Sequence, residues 1–219
     1  MKTKLFLATA LTAALTATTA YAQQGLNLSV KAIAANSTLL NSDDSDLGAL
    51  YDRQFTLAPA FGLGVGYGFT DNLGIGLDVI YSMQGQRYEV LGAEQFQKSN
   101  YLKIPLLFVY NTDPSKSVMF IGKVGPQLGL LTSAKLSDNN GNDLVGDNTD
   151  RYSSTDFGAV LSLGVGFGLS DNLRLSAAVR GDYGFTNAED EDALFHPAGR
   201  ATTNNLTTGL EVGLTYLLN

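Results

Sequence analysis

The sequence predicts an all-β protein: an eight-stranded antiparallel up-and-down transmembrane β-barrel after a cleaved signal peptide. Three observations lead to this fold class. Large apolar residues alternate with small or polar ones, the connections are short and long in turn, and the N-terminal segment is typical of secreted precursors. Charged residues are sparse at 16%, glycines number 24, and 219 residues suffice for one barrel of modest size.

The first 22 residues have the organisation of a signal peptide. Lys2 and Lys4 form a basic start, residues 5–15 form a short apolar core, and an Ala-Tyr-Ala cleavage pattern precedes Gln23. A membrane-spanning helix would need about 20 predominantly apolar residues, which this segment lacks. We therefore expect a signal peptide at 1–22 and an outer-membrane β-barrel domain at 23–219.

Eight segments of the remaining chain show a residue period of 2, which is the period of a β-strand. In 55–69, one parity contains Phe61, Leu63 and Val65, and the other contains Gly62 and Gly64. An even number of strands is usual for bacterial single-chain barrels. The predicted strands are 25–36, 55–69, 73–83, 99–111, 117–136, 157–169, 172–187 and 206–218.

The connections alternate in length. Three are short (70–72, 112–115 and 170–172) and consist of Thr, Asp, Asn, Pro and Ser, most of which favour tight turns. Four are long: 37–54, 85–98, 137–154 and 188–203. This alternation predicts periplasmic turns and extracellular loops, with both termini in the periplasm.

The long loops carry most of the acidic residues. Charge runs of this kind are usually solvated, and a cation-binding role is the alternative. The acidic positions are Asp43, Asp44, Asp46, Asp52, Asp138, Asp143, Asp147, Asp150, Glu189, Asp190, Glu191 and Asp192.

The two parities indicate which face of the barrel is wet. The apolar parity carries almost no charge, whereas the other parity combines charges with many glycines, which cannot make a dry core. A soluble ligand carrier would have the opposite arrangement, so the pattern predicts a bilayer and a bacterial outer-membrane location. The predicted interior charges are Lys31, Asp78, Lys103, Lys123, Arg174, Arg180, Asp182 and Glu211.

We expect these charges to form a structural network that plugs the lumen, because buried charges must be paired. Counting from the predicted turns pairs Asp78 with Lys103, and Glu211 with Lys31 or Arg180. A pore or ligand-binding role is the competing interpretation, although eight strands leave little lumen.

Two segments carry a resemblance to a known family. Residues 101–110, Tyr-Leu-Lys-Ile-Pro-Leu-Leu-Phe-Val-Tyr, resemble the fourth-strand signature of the outer membrane protein β-barrel domain family, the PorT-like small barrels. Residues 156–166, which begin Asp-Phe-Gly and end Gly-Val-Gly, resemble that family's sixth strand. The likeness extends over 23–219. It implies an outer-membrane location and roles that are mostly uncharacterised.

The C-terminal segment resembles the assembly signal read by the outer-membrane insertion machinery. The matching residues are Glu211, Gly213, Tyr216 and Leu218. The chain departs from the pattern at its end, where Leu218-Asn219 replaces the usual aromatic residue.

Residue types that carry chemistry are few. The chain has no Cys and one His, so we expect no disulfide, lipoprotein anchor, metal site or cofactor, and no enzyme activity. A lipid-modifying enzyme would have to use His196 with Ser153 or Ser154 near Asp156. Removing Lys2 and Lys4 leaves 12 basic and 21 acidic residues, a net charge of −9, which argues against nucleic acid.

The sequence thus predicts a small integral outer-membrane barrel with a structural or surface-interaction role. The alternative is a narrow channel or small-ligand-binding barrel. Expected partners are outer-membrane lipid, the insertion machinery during assembly, and an unknown extracellular partner of the acidic loops.

Overall fold

The computed structural model describes residues 25–46, 52–90, 93–112, 116–138, 140–194 and 196–218. The signal peptide predicted at 1–22 lies outside these ranges. The described strands are β1 Gly25–Leu40, β2 Asp52–Gln54, β3 Leu57–Gly68, β4 Leu73–Val90, β5 Ala93–Asn111, β6 Val118–Asp138, β7 Asp143–Val145, β8 Thr155–Gly168, β9 Leu173–Gly184 and β10 Asn204–Leu218. A short helix, α1, spans Ser42–Asp46, and a 3-10 turn spans Thr149–Arg151.

Eight of these strands form a closed ring in chain order, β1-β3-β4-β5-β6-β8-β9-β10. Every pairing is antiparallel, and β10 returns to pair with β1 from Leu26 opposite Leu218 to Leu40 opposite Asn204. The short strands β2 and β7 lie outside the ring and pair with β4 and β6. The predicted eight-stranded up-and-down barrel is therefore confirmed.

The two ends of the barrel differ. One end, the turn end, holds the beginning of β1, the end of β10 and the short connections 69–72, 112–117 and 169–172. Two of these turns share a side-chain device: the amides of Asn72 and Asn172 donate to the main-chain oxygens of Asn111 and Leu217 on neighbouring strands. The opposite end, the loop end, holds the hairpin of β4 and β5 and the longer connections between the other strands.

One predicted loop is wrong. Residues 85–98 continue the ladder of β4 and β5 as a hairpin, paired from Gln84 opposite Ser99 to Val90 opposite Ala93. The apolar alternation stops near Met83 because the hairpin leaves the apolar belt, but its main-chain pairing continues. Hydrophobic periodicity reports burial in lipid or in a core, so it underestimates a strand that is polar on both faces.

The outer surface carries the large apolar residues. On β3, Phe61 is 56% exposed and Leu63 is 65% exposed, whereas Ala58 and Ala60 of the other parity are buried. Among the described residues, no helix has the length and apolar character required to cross a membrane.

The interior is more apolar than the sequence suggests. Beside the charged residues, one wall of the lumen at β1, β3 and β4 carries a buried cluster of Ile33, Ala35, Ala58, Ala60 and Ile80. The alternation predicts only small, polar and charged residues there. A narrow lumen excludes enough water for inward-facing aliphatic side chains to pack against one another.

Candidate functional site

The candidate site is a cluster of ion pairs inside the barrel. The strand period of 2 points its members into the lumen, and seven of the eight predicted interior charges form ion pairs there. They are Lys31 on β1, Asp78 on β4, Lys103 on β5, Lys123 on β6, Arg180 and Asp182 on β9, and Glu211 on β10.

Arg180 is the branching point of the cluster. Its Nη1 donates to Glu211 Oε2 at 2.8 Å, and its Nε donates to Asp182 Oδ1 at 3.0 Å. Its Nη2 donates to Gln127 Oε1 at 3.4 Å. Arg180 and Glu211 are almost fully buried. The planar guanidinium thus binds two carboxylates at once, a geometry that a lysine cannot reproduce.

Two lysines reach across the lumen to the same carboxylates. Lys123 Nζ lies 2.7 Å from Glu211 Oε1, although β8 and β9 separate their strands. Lys103 Nζ lies 3.3 Å from Asp182 Oδ2, with β6 and β8 between their strands. Thr207 donates to the same Asp182 oxygen at 2.9 Å. These contacts connect opposite walls of the barrel.

Lys31 and Asp78 form a separate pair on neighbouring walls. Gly64 on the intervening strand β3 makes room for it, because a Cβ there would overlap Asp78 Oδ1 and lie 2.6 Å from Ser29 Oγ. The predicted pairing of Asp78 with Lys103 is therefore wrong, and so is that of Glu211 with Lys31. Glu211 does pair with Arg180, as expected. In a narrow lumen a lysine side chain reaches the far wall, so strand adjacency does not decide its partner.

Arg174 stands apart from the network. Among the described residues it makes no ion pair, and it lies near the turn end beside a cavity of about 110 Å³. Gly66, Gly74 and Gly76 form one wall of this cavity. Leu107, Val109, Met119 and Ile121 also line it, as do Lys31, Lys123 and Asp78.

Sequence reasoning missed a second polar layer nearer the loop end. Asn205 Nδ2 donates to Asp156 Oδ2 at 2.9 Å and lies 3.5 Å from the Tyr101 hydroxyl. Thr186 donates to Asp156 Oδ1 at 3.0 Å. The inward parity of β5, β8 and β10 was the available signal, because it places Tyr101, Asp156 and Asn205 on the same face as the interior charges.

The C-terminal residues that resemble an assembly signal divide between the two faces of β10. Glu211 belongs to the interior network, and Gly213 shares its inward parity. Tyr216 is exposed on the outer surface near the turn end, and Leu218 pairs with Leu26 at the strand terminus. Recognition by the insertion machinery stays a prediction.

Arg200 joins two of the connections at the loop end, the one after β1 and the one between β9 and β10. Its guanidinium donates to Asp44 Oδ1 at 2.9 Å and to Glu189 at 2.6 and 2.8 Å. The two hydrogen-bonded carboxylates hold the pKa of Arg200 above its ordinary value. Asp44 is buried, so the interpretation of these acids as simply solvated is wrong for Asp44 and Glu189.

Other loop acids stabilise local turns. Asp138 accepts from the main-chain amides of Asn140 and Asn142 and from the Asn142 side chain, and these bonds lower its pKa. A hydrogen bond from Lys135 lowers the pKa of Asp143, and bonds from Thr149 lower that of Asp147. In the described part of the chain, no group of three or more His, Cys, Asp and Glu is arranged to hold a metal ion.

Of the residues considered for catalysis, Ser153 and His196 occupy these same loops, whereas Asp156 lies on β8. His196 Nε2 lies 3.6 Å from Glu189 Oε2, a carboxylate already bound by Arg200. The Ser153 hydroxyl donates to the main-chain oxygen of Glu189 at 3.3 Å. Asp156 faces the lumen and binds Asn205 and Thr186. The structure therefore gives His196 and Asp156 different partners.

A closed barrel with an apolar outer belt and a charged, paired interior defines a class of protein, the integral outer-membrane β-barrels. The chain belongs to the outer membrane protein beta-barrel domain family, whose sequence model matches residues 13–190. The protein is therefore a bacterial outer-membrane protein. The match is shorter than the expected 23–219 at its C-terminal side and stops before β10.

A solved structure with a TM-score above 0.5 has the same fold. A major outer membrane protein from Thermus thermophilus is 14% identical, covers 89% of this chain and 100% of its own, and has a TM-score of 0.53. OprG from Pseudomonas aeruginosa is 14% identical over 90% of this chain and 97% of its own, with a TM-score of 0.49. Ail, the attachment invasion locus protein of Yersinia pestis, is 15% identical over 87% and 98%, with a TM-score of 0.45. No curated protein matches the sequence.

Proposed function

We propose that this protein is a non-conducting outer-membrane barrel whose role is structural or in surface interaction. The observation that carries the proposal is the chain of ion pairs that crosses the lumen through Lys103, Asp182, Arg180, Glu211 and Lys123. An open pore would leave these groups facing continuous water. Here they contact one another, and most of their surface is buried.

The electrostatics favour a permanent plug. Breaking a buried pair leaves an uncompensated charge in a site of low polarity, which costs several kcal/mol. Each carboxylate in the chain of ion pairs across the lumen has two cationic partners. Glu211 has Lys123 and Arg180, and Asp182 has Lys103 and Arg180. No single side-chain rotation therefore opens the barrel without losing a pair.

Planar-bilayer recording tests this proposal. We expect the folded mature chain to show no steady openings, and we expect Lys103→Ala/Lys123→Ala to show leak current because it removes both lysines that cross the lumen. Lys135→Ala, which breaks an exposed loop pair, is the control and stays silent. Steady openings of the unaltered protein would contradict the plug.

The second candidate is a small-ligand-binding barrel, and the turn-end cavity favours it. Arg174 lines this cavity without an ion-pair partner among the described residues, and Lys31 and Lys123 lie at the same cavity. A small anion would compensate the excess positive charge. Inorganic phosphate should then raise the melting temperature of the unaltered protein but not of Arg174→Gln, with Lys116→Gln as the control at the same rim. No shift in any variant would exclude this role for phosphate.

We also propose roles for the loop end and for β10. The loop end, joined by Arg200, is the surface offered to an extracellular partner, and β10 carries the signal for the insertion machinery. Tyr216→Ala should lower the amount of folded protein in outer-membrane fractions.

We propose no catalytic role: His196→Ala should leave lipid composition unchanged, and an altered lipid profile would revive the enzyme hypothesis.

A further inference from the structure

The hairpin of β4 and β5 carries a cluster of cations on its outer face, just above the apolar belt. On β4 the outward positions run Tyr81, Met83, Gly85 and Arg87, so the strand changes from lipid-facing residues to a cation within a few positions. Lys98 on β5 lies opposite Gly85. The cations therefore stand at the level where a bilayer's headgroups begin.

The cluster has a third member and an aromatic centre. Lys98 lies directly opposite Lys135 of β6, which places two like charges on neighbouring strands. The ring of Phe96 is in cation–π range of both Arg87 and Lys98, with the Arg87 guanidinium carbon 5.7 Å and Lys98 Nζ 5.4 Å from its centroid. We call Arg87, Lys98 and Lys135 the hairpin cation cluster.

The protein itself compensates only part of this charge. Asp143 binds Lys135 at 2.9 Å, and directly opposed like charges destabilise a sheet unless another anion approaches. Glu94 and Asp138 line the same groove of about 120 Å³ as Arg87 and Lys98, but the Asp138 carboxylate accepts hydrogen bonds from its own turn. Glu89 and Glu94 lie opposite each other on the two strands near the hairpin tip. The hairpin is therefore basic at its base and acidic towards its tip.

The cations occupy one sector of the rim. Elsewhere towards the loop end the outer surface presents exposed aromatic residues, namely Phe55, Phe157, Tyr183 and Phe185. The chain as a whole is acidic, with 21 acidic and 14 basic residues. Three cations on one patch of such a protein give a local positive charge that would attract an anion at the membrane surface.

We infer that the hairpin cation cluster binds the phosphate groups of an outer-leaflet glycolipid. The acyl chains of that lipid lie against the apolar belt below Arg87, and its phosphates meet Arg87, Lys98 and Lys135. Glu89 and Glu94 lie on the tip side of the cations, away from the apolar belt. Basic residues beside a membrane surface attract anionic headgroups over about one Debye length.

The test compares bisphosphorylated lipid A with fully dephosphorylated lipid A of the same acyl composition. Binding to the folded mature chain in dodecyl maltoside is measured by native mass spectrometry. We expect the phosphorylated lipid to bind at least about tenfold more tightly, because each basic residue near an anionic surface contributes several-fold in affinity. Equal affinity for the two lipids would overturn the inference.

Charge-matched variants locate the site. Lys98→Gln/Lys135→Gln should lose about tenfold in affinity for the phosphorylated lipid. The control Lys116→Gln/Arg151→Gln removes the same charge from the turn end and from an extracellular loop, and it should change binding less than about twofold. An equal loss in the control would show a general charge effect and contradict the site.

Two further measurements keep the test decisive. Heat-modifiable gel migration checks that each variant is folded, and Lys98→Arg/Lys135→Arg, which retains the charge, should bind as the unaltered protein does. If the glutamine variant does not fold, the affinity of the unaltered protein must still weaken as salt rises, and a salt-independent affinity would overturn the inference. Lipid binding is measured without current, so this result and the bilayer result are independent.

Discussion

Gly64 shows how one missing side chain positions a charge. An added Cβ would overlap the Asp78 carboxylate that pairs with Lys31. Gly76 on the next strand also faces the lumen, but its Cβ would lie 3.8 Å or more from its neighbours. The sequence displays both glycines in the same alternating pattern, and only the packed barrel distinguishes them.

Alanine substitutions at these two glycines should differ in their effect on stability. Gly64→Ala should lower the free energy of unfolding by about 1–3 kcal/mol, because the new methyl group overpacks the site and displaces Asp78. Gly76→Ala should leave stability unchanged or raise it slightly, since alanine restricts the unfolded chain more than glycine does. Urea denaturation in lipid vesicles measures both, and equal losses would contradict this interpretation.

Removing Arg180 tests how much the interior ion pairs contribute to stability. Arg180→Ala should lower the free energy of unfolding by about 3–5 kcal/mol, because it leaves Asp182 and Glu211 short of a buried partner. Lys135→Ala breaks an exposed pair and should cost less than about 1 kcal/mol. Similar losses in the two variants would mean that the interior network contributes little to stability.

At the scale of elements, the connection between β6 and β7 contains a turn that depends on pH. Hydrogen bonds from Asn142 and Asn140 hold the pKa of Asp138 below its ordinary value of 3.8. A carboxylate with a depressed pKa stabilises the folded turn above its unfolded pKa, and that contribution is lost as the pH falls through the lower folded value.

The turn should therefore loosen below pH 3.8 while the barrel remains folded. The main-chain amide resonances of Asn140 and Asn142, followed by NMR, report the change because both amides donate to Asp138. Asp138→Asn retains an acceptor oxygen but does not titrate, so its resonances should not move in this range. A midpoint above 3.8 would contradict the assignment.

The hairpin of β4 and β5 marks a limit of sequence reasoning at this scale. The apolar alternation predicts the strand at 73–83 but not its continuation to Val90. The extension pairs through main-chain hydrogen bonds and places Gln84 and Gln86 inward and Arg87 outward. Polar residues on both faces give no amphipathic signal, although the ladder is unbroken.

At the scale of the whole molecule, ring closure is the main determinant of folding. Deleting 204–219 should remove β10 and leave β1 and β9 with unpaired edges, which a bilayer does not tolerate. We expect loss of heat-modifiable migration and of outer-membrane fractionation. Deleting 88–95, at the hairpin tip, removes only extramembrane pairing and should preserve both properties. Retention of both properties after loss of β10 would contradict closure as the requirement.

The sequence by itself determined the eight strands of the ring, their inward and outward faces, and the end at which the short turns lie. These features are local: a side-chain period of 2, turn residues and the lengths between them can be read without knowing the fold. The same parity also identified seven charges that do form interior ion pairs, because facing the lumen depends only on position within a strand.

Only the tertiary structure decided which charges meet. Lys103 binds Asp182 rather than Asp78, and Arg200 joins Glu189 of its own loop to Asp44, which is distant in the chain. These contacts depend on the diameter of the closed ring and on the packing of loops above it. Side-chain reach across a narrow lumen is a property of the assembled barrel, so no single strand contains it.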